Sequence, residues 1–111
     1  MTQKIVVELY EDRNGKCPYL KWFDKLKNKR DAARIEYRIR RLESDGNFGT
    51  VESIGDGVYE FKFYFGPGYR AYFGKENDRF IILLIGGDKG TQKRDIEKAK
   101  EYWSDYQEAK K

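Results

Sequence analysis

The sequence predicts an α+β domain in which a small, mostly antiparallel sheet has its helices packed against one side. Three observations support this fold class. Apolar residues recur at every second position between residues 58 and 73, and they recur at three- or four-residue steps between residues 20 and 42 and again between 96 and 103. These patterns give the element order β-α-α-β-β-β-α. A chain of 111 residues is large enough for one core, so residues 1–111 are predicted to form a single domain.

The first part of the chain contains one predicted strand and two predicted helices. Residues 4–10, KIVVELY, are rich in β-branched side chains, as strands are. Pro18 suits the first position of a helix, because its missing N–H has no helical partner there in any case. The next helix has one apolar face and a second face that carries arginines. The apolar residues are Ala32, Ile35, Ile39 and Leu42, and the arginines are Arg34, Arg38 and Arg41.

Strands dominate the second half of the chain. A loop punctuated by glycines at positions 46, 49, 55 and 57 precedes a predicted strand over residues 58–65. Residues 66–68, GPG, predict a tight reversal into a second strand. Residues 80–85 are almost continuously apolar, which predicts a central strand that is buried on both sides and ends at the glycines 86 and 87. Thr91 is placed to cap a last helix.

The composition restricts the kinds of site that the chain can contain. There is no histidine, and the single Cys17 gives neither an intramolecular disulfide nor the spacing of a metal site. We therefore expect no metal or other cofactor. No apolar run approaches the roughly 20 residues that span a bilayer, and the first residues lack the apolar stretch of a signal peptide. A cytoplasmic protein without a membrane partner is predicted.

Cations on the predicted strands form the first candidate site. Alternation along the two strands of the hairpin places Lys62 and Arg70 on one face of the sheet. Lys89 follows the third strand in a loop that leads to a helix N-terminus, where free N–H groups favour anions. With Tyr64 and Tyr72 nearby, the cluster suits a phosphodiester and a stacked base. The alternative is that Lys62 and Arg70 only keep a solvated sheet face polar.

Two further features have open interpretations. Arg34, Arg38 and Arg41 lie in register on one helix face, where they either face solvent or help to grip an extended RNA, since arginine pairs well with phosphate. Glu60 either serves as a base or neutralises Lys62 in a surface pair.

Three runs of sequence carry a resemblance to a known family: residues 57–62 (GVYEFK), 66–73 (GPGYRAYF) and 83–96 (LLIGGDKGTQKRDI). Together with WFDKL at 22–26 and ARI at 33–35, they make the chain resemble the RelE/ParE toxin superfamily over nearly its whole length. Within that superfamily it is most similar to the HigB-like "addiction module killer" branch. That branch often has an arginine after a Glu-Leu pair, where this chain has Phe61-Lys62.

The resemblance implies a RelE-like domain that acts as the toxin of a type II toxin–antitoxin module. RelE-like members are endoribonucleases that cleave mRNA on the ribosome and so inhibit translation, and a cognate antitoxin holds them inactive. In the killer branch the antitoxin is usually a helix-turn-helix repressor, so operator DNA would be bound only through it. ParE-like relatives instead inhibit DNA gyrase by binding, and a third possibility is an RNA- or ribosome-binding domain without catalysis.

The resemblance also implies roles for residues of the candidate site. Arg70 would hold the scissile phosphate, and Lys62 or Lys89 would assist proton removal with a pKa lowered by neighbouring cations. Tyr72 or Tyr64 would stack a base, and Gln92 would orient a substrate group. RNA supplies its own nucleophile, the 2′-OH, so a site of this kind works without histidine.

Overall fold

A computed structural model describes residues 4–111 and confirms the α+β class. Its sheet has five strands: β1 (Val6–Leu9), β2 (Val51–Gly55), β3 (Val58–Lys62), β4 (Arg70–Asn77) and β5 (Phe80–Gly87). Three helices, α1 (Pro18–Asp24), α2 (Lys29–Asp45) and α3 (Gln92–Ala109), complete the fold, with a 3₁₀ turn at Lys89–Thr91 before α3. The strand order is β1-β5-β4-β3-β2, with β1 parallel to β5 and the other neighbours antiparallel.

Strand β2 adds an element where the sequence predicts only a loop, so the predicted order lacks one strand. The strand joins β3 through the two-residue turn Asp56-Gly57, whose φ angles are 57° and 82°. Positive φ at both central residues characterises the tight turns that suit the twist of a hairpin. β2 lies at the edge of the sheet and is mostly exposed, with only Val51 and Ile54 partly buried. Its apolar pattern is therefore weak.

The helices lie on both faces of the sheet, which corrects the predicted one-sided arrangement. Helices α1 and α2 pack on the face that carries Phe61, Phe73 and Leu83. Helix α3 packs through Ala99 and Trp103 on the opposite face. Strands β4 and β5 carry apolar side chains on both faces, so both faces need a cover. No helix within residues 4–111 is long and apolar enough to cross a membrane.

The boundaries of three strands differ from the predicted ones, and the first of these, β1, covers only Val6–Leu9 of the predicted residues 4–10. Strand β3 ends at Lys62, three residues earlier than predicted, while β5 continues through Gly86 and Gly87 instead of stopping before them. These glycines pair with Ala71 and Arg70 of β4. A Cβ at Gly86 would collide with the ring of Trp22, and one at Gly87 would collide with the Asp95 carboxylate. Both positions are glycine because side chains of α1 and α3 pack directly against the backbone of β5 there.

Candidate functional site

The candidate site is built around a buried carboxylate, that of Glu60 in β3, which is only 1% exposed. Its Oε2 atom accepts a hydrogen bond from the Tyr72 hydroxyl at 3.0 Å and another from Gln92 Nε2 at 2.7 Å. Two cations flank it: Arg70 Nε lies 3.4 Å from Oε2, and Lys62 Nζ lies 3.9 Å from Oε1. Side chains from β3, β4 and the start of α3 therefore converge on one acid.

Strand register explains this convergence. In the β3–β4 hairpin, Lys62 pairs with Arg70 and Glu60 pairs with Tyr72. Because alternate residues of a strand point to the same side, all four side chains share the face that α3 covers. The Arg70 side chain is 13% exposed and that of Lys62 is 23% exposed. This face is therefore not the solvated surface of the alternative interpretation, and Glu60 is not a surface partner of Lys62.

Lys62 is held by a second carboxylate on the edge strand. Glu52 of β2 pairs with Glu60 across the sheet, and its Oε2 lies 2.7 Å from Lys62 Nζ. This hydrogen bond is the main reason that the pKa of Lys62 is raised and the pKa of Glu52 is lowered. The expectation that neighbouring cations lower the pKa of Lys62 is wrong, because the nearest charges are negative. Lys62 is a firmly protonated ammonium in this arrangement.

The Arg70 guanidinium is positioned from two sides. Its Nη1 donates to the Gly68 carbonyl at 2.8 Å, and its Nε faces Glu60. The Nε atom is buried and makes no well-formed hydrogen bond within residues 4–111. The Nη2 amino group likewise has no hydrogen-bond acceptor in that part of the chain. A guanidinium that is fixed in place but still has spare donors suits an incoming phosphate.

Lys89 lies close to Arg70, as the sequence predicts. A Cβ built on Gly68 would lie 3.4 Å from Arg70 Nη1 and 3.4 Å from Lys89 Cβ, so both residues border the same glycine. Lys89 belongs to the exposed 3₁₀ turn, and its ammonium forms no ion pair with the described residues. Gly68 has a φ of 77°, a conformation that glycine adopts without strain.

The N–H groups before α3 are already occupied. Asp88 Oδ1 accepts hydrogen bonds from the N–H groups of Gly90 at 2.8 Å and Thr91 at 3.2 Å. Asp88 therefore caps this turn. Thr91 occupies the N-cap position of α3, as predicted, but its side chain makes no capping hydrogen bond to that helix, and its hydroxyl donates to Asp95. An external anion would have to displace Asp88. The anion-binding role expected for these N–H groups does not fit this geometry.

Of the two tyrosines proposed to stack a base, only one is accessible. Tyr72 is fully buried and donates its hydroxyl to Glu60, so the prediction that it stacks a base is wrong. Burial, reinforced by Glu60, raises the pKa of the Tyr72 hydroxyl. Tyr64 is 75% exposed, just beyond the end of β3. Gln92 points inward to Glu60, so it orients the acid in this structure.

The arginines of α2 are not part of the Arg70 cluster. Helix α2 covers the other face of the sheet, where the Arg34 guanidinium lies 3.9 Å above the Phe65 ring and that of Arg38 lies 5.6 Å above Phe61. Arg41 forms an ion pair with Asp45 of its own helix at 3.4 Å. The structure thus divides the predicted RNA-binding residues between two regions.

The roles of two acids of the site, Glu52 and Glu60, are not predictable from the sequence pattern, for different reasons. The sequence does not predict Glu52 as part of the site, because residues 46–57 read as a glycine-rich loop, although the Asp56-Gly57 dipeptide is a strong hairpin signal. For Glu60 the sequence indicates only a possible base or surface partner of Lys62, because strand alternation does not reveal that α3 covers this face of the sheet. Within residues 4–111, no group of three or more Cys, Asp or Glu side chains is placed to hold a metal ion.

Comparisons with known proteins place the site inside a matched region. Residues 21–104 match a family model described as "Phage derived protein Gp49-like (DUF891)". An "Uncharacterized protein" of Haemophilus influenzae is 49% identical over 79 residues, which cover 71% of this chain and 79% of that protein. The family match includes every residue of the site, from Glu52 on β2 to Gln92 at the start of α3.

Proposed function

The chain belongs to the Gp49-like family of phage-derived proteins, a family of type II toxin domains, and from this premise we propose that it is a HigB-like toxin of the RelE/ParE superfamily that cleaves mRNA on the ribosome. The observation that carries the proposal is the placement of Arg70, which the Gly68 carbonyl and Glu60 hold from two sides beside Lys62 and Lys89. Family membership implies a cognate antitoxin as partner. We further propose that the antitoxin is of the helix-turn-helix type and that only it contacts operator DNA.

The chemistry of RNA cleavage matches what such a site supplies. The 2′-oxygen attacks the adjacent phosphorus, a new O2′–P bond forms, and the P–O5′ bond breaks. The 2′-OH loses a proton and the leaving 5′-oxygen gains one. Negative charge accumulates on the phosphoryl oxygens, and positioned cations stabilise it. In our proposal Arg70 contacts these oxygens directly.

The two lysines receive different roles. Because Glu52 keeps Lys62 protonated, Lys62 contributes positive charge and does not act as a base. Lys89 is exposed, lies beside Arg70, and has no carboxylate partner within residues 4–111. Lys89 is therefore the residue that we propose to donate a proton to the leaving 5′-oxygen, while the proton of the 2′-OH passes to solvent water. Glu60 acts through Arg70 and is a positioning residue.

A reconstituted translation system tests the proposal. Purified wild-type protein should cut a defined mRNA only while ribosomes translate it. Arg70→Ala should lower the cleavage rate about 10²- to 10³-fold, the usual effect of removing one transition-state donor. Lys89→Ala should also slow cleavage. The matched control is Arg13→Ala, which removes a cation that is 89% exposed and paired with Asp105 away from the site.

Two results would contradict the proposal. Full cleavage by both Arg70→Ala and Lys89→Ala would remove the assigned site. Toxicity accompanied by DNA breaks, with mRNA left intact, would instead support the ParE-like inhibition of DNA gyrase.

A further inference from the structure

A second cationic region lies on the other face of the protein. A cleft of about 530 Å³ separates α2 from the hairpin that joins β3 to β4. Its walls carry three arginines and three aromatic residues, together called the arginine–tyrosine cleft: Arg30, Arg34, Arg38, Tyr37, Tyr64 and Phe65. Among residues 4–111, no acidic side chain lines it. The cleft therefore favours an anionic ligand.

The arginines of α2 differ in how they are neutralised. Arg40 pairs with Glu36 at 2.8 Å and Arg41 pairs with Asp45 at 3.4 Å, each within one turn of the helix. Arg34 and Arg38 have no carboxylate partner in the described chain, and they lie over aromatic rings instead. Stacking on a ring orients a guanidinium while leaving its N–H donors free for phosphate.

Exposed aromatic rings distinguish this cleft from a simple basic patch. Five large apolar side chains of the described chain are markedly exposed: Val6, Leu9, Leu20, Tyr37 and Tyr64. The only two aromatic members, Tyr37 at 61% and Tyr64 at 75%, both line the cleft. Aromatic rings beside cations bind single-stranded nucleic acid, because each base can stack while each phosphate meets a positive charge. An acidic peptide would need the arginines but not the rings.

We propose that the arginine–tyrosine cleft binds single-stranded RNA, with phosphates at Arg34 and Arg38 and bases stacked on Tyr37 and Tyr64. In naming RNA as the ligand, this inference rests on the proposed function. Tyr64 follows Lys62 by two residues, a distance of about 7 Å in an extended chain. An RNA strand that leaves the Arg70 site can therefore pass over the hairpin and continue into the cleft.

Fluorescence anisotropy with a non-cleavable ligand tests the inference. The probe is a labelled 2′-O-methyl oligouridine of about eight nucleotides, compared with an abasic backbone of equal length and charge. The wild-type protein should bind the oligouridine more tightly. The double variant Tyr37→Ala/Tyr64→Ala should weaken oligouridine binding about 10- to 100-fold, from the typical contribution of each stacked base, and leave abasic binding unchanged.

A charge-matched pair of variants provides the control. Arg34→Gln/Arg38→Gln should weaken binding by at least tenfold, whereas Arg40→Gln/Arg41→Gln, with the same loss of charge on the same helix, should weaken it less than threefold. Equal effects of the two pairs would overturn the inference, since binding would then follow net charge. The exposed tyrosines make the tyrosine variant informative even if the loss of Arg34 perturbs folding.

The outcomes separate this inference from the proposed function. If the variants change RNA binding as expected but the protein does not cleave mRNA, the proposed function is contradicted and the inference that the arginine–tyrosine cleft binds RNA still stands. If mRNA cleavage depends on Arg70 but Tyr37→Ala/Tyr64→Ala binds the oligouridine as tightly as the wild-type protein, only the inference about the cleft is refuted. Equal affinity for oligouridine, the abasic backbone and an octaglutamate peptide would also refute it, and would indicate an acidic protein segment as the occupant.

Discussion

Replacing Glu60 with glutamine tests whether this buried acid holds the site together. Both hydrogen bonds that Glu60 accepts, from Tyr72 and Gln92, go to Oε2, and so does the contact with Arg70. A glutamine whose carbonyl oxygen takes this position keeps both hydrogen bonds. Its amide group replaces Oε1, whose ion-pair partner within the described chain is Lys62 at 3.9 Å. The substitution therefore removes a charge and leaves the shape almost unchanged.

The expected loss follows from the Arg70 contact. At the 3.4 Å separation of Arg70 Nε and Glu60 Oε2, Coulomb's law with an effective dielectric constant of about 20 gives roughly 5 kcal/mol of attraction. The desolvation of both groups offsets much of this in the wild-type protein, but removing one partner leaves the other charge buried without compensation. Losses of this kind run to about 3–5 kcal/mol. Because Arg70 keeps some solvent contact, we expect the free energy of unfolding to fall by about 3 kcal/mol at pH 7.

Urea denaturation followed by tyrosine and tryptophan fluorescence measures this change. With a slope of about 1.5–2 kcal/mol per molar urea, typical of a small domain, the midpoint should fall by about 1.5–2 M. Glu52→Gln is the matched control: it removes the same charge from the same face, but its side chain is 61% exposed, so the loss should be much smaller. If Glu60→Gln were no more destabilising than Glu52→Gln, the idea that Glu60 organises the site would be refuted.

Two other predictions concern the lysine pair and the strand glycines. The pKa of Glu52 in the folded protein is lowered mainly by its hydrogen bond with Lys62, so this pair stabilises the fold above the ordinary carboxyl pKa of 4.5, and the stabilisation is lost as the pH falls through the lowered pKa. In the variant Lys62→Met, NMR titration of the Glu52 carboxyl should show a higher pKa than in the wild-type protein. An unchanged pKa would contradict the pairing. Gly86→Ala should lower the free energy of unfolding by about 1–3 kcal/mol in urea denaturation, because the new methyl group overlaps the Trp22 ring. The control is Gly90→Ala on an exposed turn, where the new methyl group would lie 3.1 Å from the Asp88 carboxylate. Equal losses of stability for the two variants would exclude crowding by Trp22 as the cause.

Much of the sheet could be predicted from the sequence, because its inner strands obey simple alternation. Phe61 and Phe73 face one core while Val58 and Tyr72 face the other, as a period of two requires. The same rule placed Lys62 and Arg70 on one face, which the register of β3 and β4 confirms. Local pattern was sufficient there because neighbouring strands are joined by short turns.

Other features depend on contacts between distant parts of the chain. In the sequence, Gly86 and Gly87 predict the end of a strand. In the structure they lie inside β5, and they are glycines because Trp22 and Asp95 pack against them. The alternation of β4 predicts Tyr72 on an open face where it could stack a base, but in the structure α3 covers that face. Alternation specifies which residues share a side of a sheet, but not which helix covers that side. This is why the sequence does not reveal that Tyr72 is buried while Tyr64 is exposed.

The parallel pairing of β1 with β5 has a consequence for the order in which the molecule folds. Strands β2 to β5 form a meander in which successive partners are joined by short connections, whereas Val6 of β1 pairs with Phe80, 74 positions away. The entropy of closing so long a loop has to be overcome before β1 gains its contacts, so non-local pairing of this kind forms slowly. We expect the meander to form first and β1 to dock last. Glu52, Glu60, Lys62 and Arg70 all lie on the meander, so the end of the sheet that carries the candidate site is expected to assemble before the N-terminal edge closes.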